Sequence, residues 1–271
     1  MTVEVIELDD AREALERARP FLTARPVEHN LLLTILDQGI EHSLDGSFWL
    51  VTDRSEVIGF ALECPPGWGA VLAVMPADTS RLLAESINRP LPRVVGEAAT
   101  AAAFAGRWTE TQSTSVTAIE AQRLYELINL GRVASASGSL RLAGAEDRTT
   151  LIEWAAAFVE ELDLGLEDAE TVVDLRLAGN RFWVWDDDGA VSMVSASDPA
   201  AGVTRVQYVY TPPSRRGSGF ATACVEAASR LLGERGLRCV LFTDLGNPTS
   251  NGIYRSIGYE AVMEVLGYDF V

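Results

Sequence analysis

Two segments in the second half of the chain combine glycines, hydroxyls and amides in patterns that suit ligand chemistry. The first is Val209-Tyr-Thr-Pro-Pro-Ser-Arg-Arg-Gly-Ser-Gly-Phe-Ala221. A β-branched strand runs into a Pro-Pro break and then into a glycine-rich turn that opens a helix, with Arg216, Gly219 and Ala221 forming R-x-x-G-x-A. Glycines let consecutive backbone N–H groups converge on one point, and a helix start adds unpaired donors and the positive end of its dipole. A diphosphate is the natural ligand of such a cradle, here Arg216, Gly217, Ser218, Gly219, Phe220, Ala221 and Thr222. The Arg216 guanidinium can add a charge-assisted contact.

The second segment is Asp244-Leu-Gly-Asn-Pro-Thr-Ser-Asn-Gly-Ile-Tyr-Arg-Ser-Ile-Gly-Tyr259. Pro248 suits the first helical position, Asn247 the N-cap and Gly258 the position just past the helix end. Asn247, Asn251 and Tyr254 then follow one another at i, i+4 and i+7, on one helix face. Capping alone accounts for Asn247 equally well, and Tyr254 also reads as a core aromatic with a bonded hydroxyl.

Elimination narrows the ligand. All 22 basic residues are arginine. Without lysine there is no Walker loop, no Schiff-base enzyme and no pyridoxal-phosphate enzyme. The loop also lacks a dinucleotide fingerprint, because Thr222 stands where the third glycine of G-x-G-x-x-G belongs. Coenzyme A, whose diphosphate belongs to neither class, fits what remains. Acyl transfer to an amine needs a polarised thioester carbonyl and a proton for the departing thiolate. A tyrosine with an ordinary pKa near ~10 can supply that proton.

Together, a strand, R-x-x-G-x-A, a helix, a further strand and N-x-x-S-N-x-x-Y-x-x-x-G-Y resemble the GNAT superfamily of N-acetyltransferases. The motifs cover Val203–Tyr259, and the element order extends the likeness over Leu140–Val271. The resemblance implies acetyl-CoA as donor, with backbone groups of Val209, Tyr210 and Thr211 along the pantetheine arm. It places Arg216–Thr222 on the pyrophosphate, Asn247 and Asn251 near the cofactor, and Tyr254 as the catalytic acid beside the thioester sulfur. Many members carry a glutamate base on the central strand, whereas Val203–Tyr210 has no carboxylate. The base is left to a water chain, to a carboxylate such as Glu160 or Asp174, or to no dedicated group.

The elements that carry these segments recur twice. The first half reads as a strand (Val3–Leu8), two helices (Ala11–Leu22, Glu28–His42) and a hairpin (Phe48–Thr52, Val57–Cys64). A strand (Trp68–Val74), a helix (Asp78–Ile87), a short strand (Arg93–Gly96) and a helix (Ala98–Trp108) follow, with Ser115–Leu130 ambiguous. The second half repeats that order from Leu140, with helices over Thr149–Leu162, Leu166–Ala178 and Ser218–Gly233 and a terminal strand pair in Tyr259–Phe270. The expected fold is mixed α/β: two GNAT-like domains, each a mostly antiparallel mixed sheet flanked by helices. Residues 1–130 form a degenerate domain, 131–139 a linker and 140–271 the catalytic domain. After Trp68–Val74 the first half has Met75-Pro-Ala-Asp-Thr-Ser-Arg-Leu, without a glycine to form a cradle.

Composition bounds the partners. A net charge of −17 disfavours nucleic acid and anionic membranes. Cys64, Cys224 and Cys239 have no CxxC spacing, and with only His29 and His42 no metal site is expected. The N-terminus has no signal-peptide pattern, so a cytoplasmic protein is expected. A small-molecule amine is the expected acceptor, and a homodimer is left open. Ten carboxylates lie between Glu160 and Asp188 against Arg176 and Arg181. They suggest a cationic acceptor, or else a solvated face. Trp183 and Trp185 share a strand face and read as core. Two alternatives stay open: a non-catalytic acyl-CoA-binding or regulatory protein, and a transferase of the same fold using another acyl donor.

Overall fold

The computed structural model describes residues 3–43, 45–131, 136–162 and 168–271. The chain packs as two compact units. One holds Met1–Leu124, Phe242–Asn247 and Ala261–Val271, and the other Tyr125–Leu241 and Pro248–Glu260.

The first unit contains β1 (Val3–Leu8), α1 (Ala11–Thr23), α2 (Asn30–His42), β2 (Ser47–Asp53), β3 (Glu56–Glu63) and β4 (Ala70–Leu72). It continues with α3 (Ala77–Ser86), β5 (Arg93–Glu97), α4 (Ala98–Gln112) and most of β6 (Val116–Leu127). Helix α1 forms because Ala11, Ala14, Leu15, Ala18 and Leu22 bury one stripe and Asp10 caps the Glu13 N–H at 2.8 Å. The ambiguous segment after α4 is strand, and the expected strand at Trp68 begins only at Ala70. Gly67 and Gly69 there have φ of 87° and 93°, and Trp68 stands exposed between them.

The second unit contains β7 (Ser139–Leu142), α5 (Arg148–Leu162), α6 (Ala169–Ala178), β8 (Phe182–Asp186), β9 (Ala190–Ala196) and β10 (Val203–Tyr210). Helix α7 (Phe220–Glu234), β11 (Arg238–Asp244), α8 (Pro248–Ile257) and β12 (Tyr259–Phe270) complete the chain. The expected start of α6 at Leu166 lies outside the described residues. Strands run in the order β7-β8-β9-β10-β11, antiparallel except for the parallel pair β10–β11. One face packs on α7 and α8 through Trp183, Trp185, Val206, Cys224, Val225 and Tyr254. The other packs beneath α5 and α6 through Leu151, Ala155, Val173, Phe182, Tyr208 and Tyr210. Trp183 and Trp185 are therefore core residues, as their shared face suggests.

The packed units do not follow the sequential division at 130 and 140. The expected terminal strand pair is one strand, β12, whose Val265–Asp269 pairs antiparallel with β5 of the first unit. The first unit accordingly runs in the order β1-β2-β3-β4-β5-β12-β6. Alternation in the sequence marks an extended segment but does not say which edge it joins. The expected linker is also tied down where it is described. Gly131 donates to the Ile257 carbonyl at 2.7 Å, and the Ser137 carbonyl accepts from Trp185 Nε1 at 2.6 Å. Residues 132–135 of that linker lie outside the described residues. Among the described residues no helix is long and apolar enough to cross a membrane.

Candidate functional site

Strand β10 changes character along its length. Its ladder with β11 covers Val203, Thr204 and Arg205, while its register with β9 shifts between Gln207 and Tyr210. The shift centres on Tyr208, a non-glycine residue at φ 50°. Such a conformation costs a tyrosine about 1–2 kcal/mol. Packing offsets that cost: Tyr208 lies against Phe158 at 5.2 Å and Phe182 at 6.3 Å, with the Arg176 guanidinium 4.8 Å from its ring. A bulge resets the alternation of the strand. Val206 faces α7, Tyr208 and Tyr210 face α5, and Val209 returns to the α7 side.

The strand end is held by side chains. Ser192 Oγ donates to the Tyr210 carbonyl at 3.0 Å and lies 2.8 Å from Thr211 Oγ1. Arg216 Nε donates to the Thr211 carbonyl at 2.8 Å. Between these anchors and α7 lies the glycine-rich turn. Gly217 and Gly219 both have φ of 81°, and a Cβ built on either would meet nothing within 4 Å. Gly219 is the N-cap of α7, so the helix begins at Phe220 and not at the expected Ser218. No side chain caps it. The first intrahelical bond is Ala223 N–H to Gly219 O at 3.0 Å. The N–H groups of Gly217, Ser218, Gly219, Phe220, Ala221 and Thr222 have no hydrogen-bond partner among the described residues. A row of open donors over a helix N-terminus is an arrangement able to hold an anion.

Arg216 is already engaged by a residue that sequence reasoning placed only within an acidic run. Its Nη2 donates to both Glu161 oxygens at 2.8 Å, and its guanidinium lies 5.6 Å from the Tyr210 ring. Tyr210 Oη also donates to Glu161 Oε1 at 3.4 Å. Burial, with the Glu161 charge adding to it, pushes the Tyr210 hydroxyl above its usual range. Nothing in the sequence signals a pairing between residues so far apart in the chain.

Helix α8 follows the sequence-derived bounds. Gly258 closes it at φ 112°, and a Cβ there would lie 1.7 Å from the Asn129 carbonyl oxygen, so only glycine fits. Tyr254 is buried, and desolvation pushes its hydroxyl up to about 12 rather than leaving it near 10. Its ring meets Tyr259 edge-on at 6.1 Å, and its hydroxyl has no hydrogen-bond partner among the described residues. Asn251 is buried too, its Oδ1 accepting from Tyr125 Oη at 2.9 Å. Asn247 immediately precedes the helix and donates its N–H to the Asp244 carbonyl at 3.1 Å.

The carboxylates suggested as a base or as an acceptor field are largely engaged. Asp174 is held by Arg148 at 2.7 and 2.9 Å, which lowers its pKa and makes it a weaker base. Glu170 pairs with the same arginine at 2.6 Å, and Asp186 pairs with Arg141 at 2.7 Å. Asp168 caps α6. Asp163 and Glu167 lie outside the described residues. Glu160, Asp187 and Asp188 have no ion-pair partner among the described residues.

The matching stretch of the first unit is closed by its own side chains. Buried His29 accepts the Val74 N–H at Nε2 (3.2 Å), with Nδ1 3.1 Å from the Leu22 carbonyl. Thr100 Oγ1 accepts the Met75 N–H at 3.4 Å, and buried Ser80 donates to the Thr100 carbonyl at 2.8 Å. After β4 the backbone donors thus turn inward, where after β10 they stay open.

Residues 146–259 match the model of the acetyltransferase (GNAT) family. No curated protein matches the sequence. A GNAT-family acetyltransferase from Colwellia psychrerythraea aligns over 100% of both chains at 13% identity, with a TM-score of 0.63. A GCN5-related N-acetyltransferase from Sphaerobacter thermophilus aligns over 97% of this chain and 94% of its own at 14% identity, with a TM-score of 0.62. A tandem GNAT protein from the clavulanic acid biosynthesis pathway aligns over 98% of each at 14% identity, with a TM-score of 0.57. At such identities the likeness shows a shared fold, and it extends through the first half of the chain.

Proposed function

We propose, from the premise that residues 146–259 match the GNAT acetyltransferase family, that the chain is an acetyl-CoA-dependent N-acetyltransferase for a small-molecule amine. The observation that carries this reading is the row of unpartnered N–H groups from Gly217 to Thr222 at the start of α7, beside the bulged end of β10. Acetyl-CoA supplies an activated acetyl group when bound. The N–H groups of Gly217–Thr222 would hold its diphosphate, helped by the dipole of α7. The backbone of Val209, Tyr210 and Thr211 would run beside the pantetheine arm, and Asn247 and Asn251 would stand near the cofactor.

Tyr254 holds the proton for the leaving thiolate on Oη. Its raised pKa keeps that proton in place through the neutral and mildly alkaline range. Asp174, fixed by Arg148 and acidified, does not suit the base. The amine then sheds its proton to water or to another carboxylate, of which Glu160 is without an ion-pair partner. In this reading residues 1–130 take no cofactor, because His29 and Thr100 occupy the donors after β4.

The test is calorimetry of the purified chain with CoA, followed by thiol release from acetyl-CoA against a panel of amines. Binding with amine-dependent thiol release supports the transferase. Binding without release by any amine favours an acyl-CoA-binding protein, and no binding at millimolar CoA refutes the reading.

A further inference from the structure

The anion that holds Arg216 is a carboxylate of the chain itself. Glu161, near the end of α5, receives both of its Arg216 bonds from the same nitrogen, Nη2, while Nε is held by the Thr211 carbonyl. The side chains of the pair are 47% and 44% exposed. An ion pair that open is held only weakly against water and exchanges readily. It nevertheless cancels the one guanidinium anchored at the mouth of the cradle. Arg215, its neighbour, is exposed and makes no ion pair among the described residues.

Resting on the reading that the cradle takes the diphosphate of a CoA thioester, we propose that Glu161 competes with that diphosphate for Arg216. Glu161 is then a brake on cofactor affinity, displaced as the diphosphate arrives. The charges set the direction. A carboxylate beside Arg216 leaves the pair neutral, and it repels an incoming anion in a chain that already carries a net charge of −17. A diphosphate brings more charge and more acceptor oxygens than one carboxylate, and it also gains the open N–H groups that Glu161 does not reach. Exchange therefore favours the ligand, with Tyr210 Oη left as a hydrogen-bond partner for the released carboxylate. A rigid strut would act in the opposite sense, since removing it would loosen the loop and weaken binding.

The experiment is calorimetry on the full chain and on E161Q with three probes: CoA, inorganic pyrophosphate and pantetheine, which lacks the diphosphate. Removing one screened charge near the site should tighten CoA and pyrophosphate by about 3- to 10-fold at low salt. Pantetheine should be unaffected, and added salt should shrink the gain. In an R216Q background E161Q should gain less, because the contest for Arg216 is gone and only the repulsion between Glu161 and the anion is relieved; an equal gain in both backgrounds would overturn the competition. E161A is expected to act in the same direction, which guards against a fold defect peculiar to one variant, and melting temperatures check both. Unchanged or weaker CoA binding in E161Q and E161A would overturn the competition while leaving the cofactor reading intact. If the parent and both variants all fail to bind CoA and pyrophosphate, the cofactor reading itself falls, and this inference with it.

Discussion

Replacing Gly219 by alanine separates binding from folding. At φ 81° an L-residue is strained by about 1–2 kcal/mol, and a less flexible unfolded chain returns roughly 0.4–1 kcal/mol of that. A Cβ at this position meets nothing within 4 Å, so no steric cost is added. A net loss near 1 kcal/mol should lower the melting temperature by only about 2–4 °C. The methyl group, however, would stand in open space within the turn whose N–H groups are proposed to hold the diphosphate. Losing one or two hydrogen bonds to a charged group costs about 1.5–3 kcal/mol each, so CoA affinity should fall roughly 10- to 10⁴-fold. Gly258→Ala is the matched contrast, because its Cβ would stand 1.7 Å from the Asn129 oxygen. Overpacking and strain together should cost roughly 3 kcal/mol or more, which shows as early melting. Calorimetry with CoA and thermal melts on both variants decide the matter. If Gly219→Ala binds CoA within about twofold of the parent, a change worth only ~0.4 kcal/mol, the cradle is not the site.

Tyr254→Phe should lower kcat about 10²- to 10⁴-fold, the usual span for a general acid, with little change in CoA affinity. Because burial pushes that hydroxyl up to about 12, the parent should show no loss of rate from its ionisation up to pH 10; a limb with an apparent pKa near 9 that vanishes in Tyr254→Phe would contradict the assigned environment. Burial lowers the pKa of His29 below 6.5, so its contribution to stability is present above that value and lost as pH falls through the folded pKa. Thermal melts from pH 7.5 to 5 should therefore decline more steeply in the parent than in His29→Gln, and parallel curves would refute this. Glu63 is 2% exposed, accepts the Gly67 N–H at 2.9 Å and pairs with Arg89 at 2.6 Å. Glu63→Ala should cost about 3 kcal/mol, the low end for half of a buried pair because Arg89 keeps some access to water. Differential scanning calorimetry should then show a melting temperature lower by roughly 6–12 °C.

Much of this was legible in the sequence. The bounds of β10 and α8 follow from a β-branched run and from a Pro248–Gly258 bracket, and the open turn before α7 from two glycines ahead of a helix. What escaped depends on distant partners. Tyr208 looks like any strand aromatic until Phe158, Phe182 and Arg176 are seen to hold it in a left-handed turn. Residues 116–127 mix apolar and polar positions without a clear period, so neighbouring strands, not propensity, make them extended. The exchange of β12 onto β5 and the attachment of Glu161 to Arg216 are encounters that no local pattern encodes. Burial of Tyr254, which alters its acidity, likewise depends on Tyr259 and on the layer packed around it.

The inward-turned loop after β4 and the open one after β10 imply unequal responses to ligand. His29 and Thr100 lock the first loop permanently, so its cohesion is the same whatever the solution contains. On the function proposed above, the second loop would draw part of its firmness from the anion it holds, and a ligand at 100 times its dissociation constant adds about 2.7 kcal/mol. One half would then be built for constancy, and the resilience of the other would track the supply of the proposed cofactor. Heat or protease should find the second half first in a starved cell and lose that preference in a well-fed one.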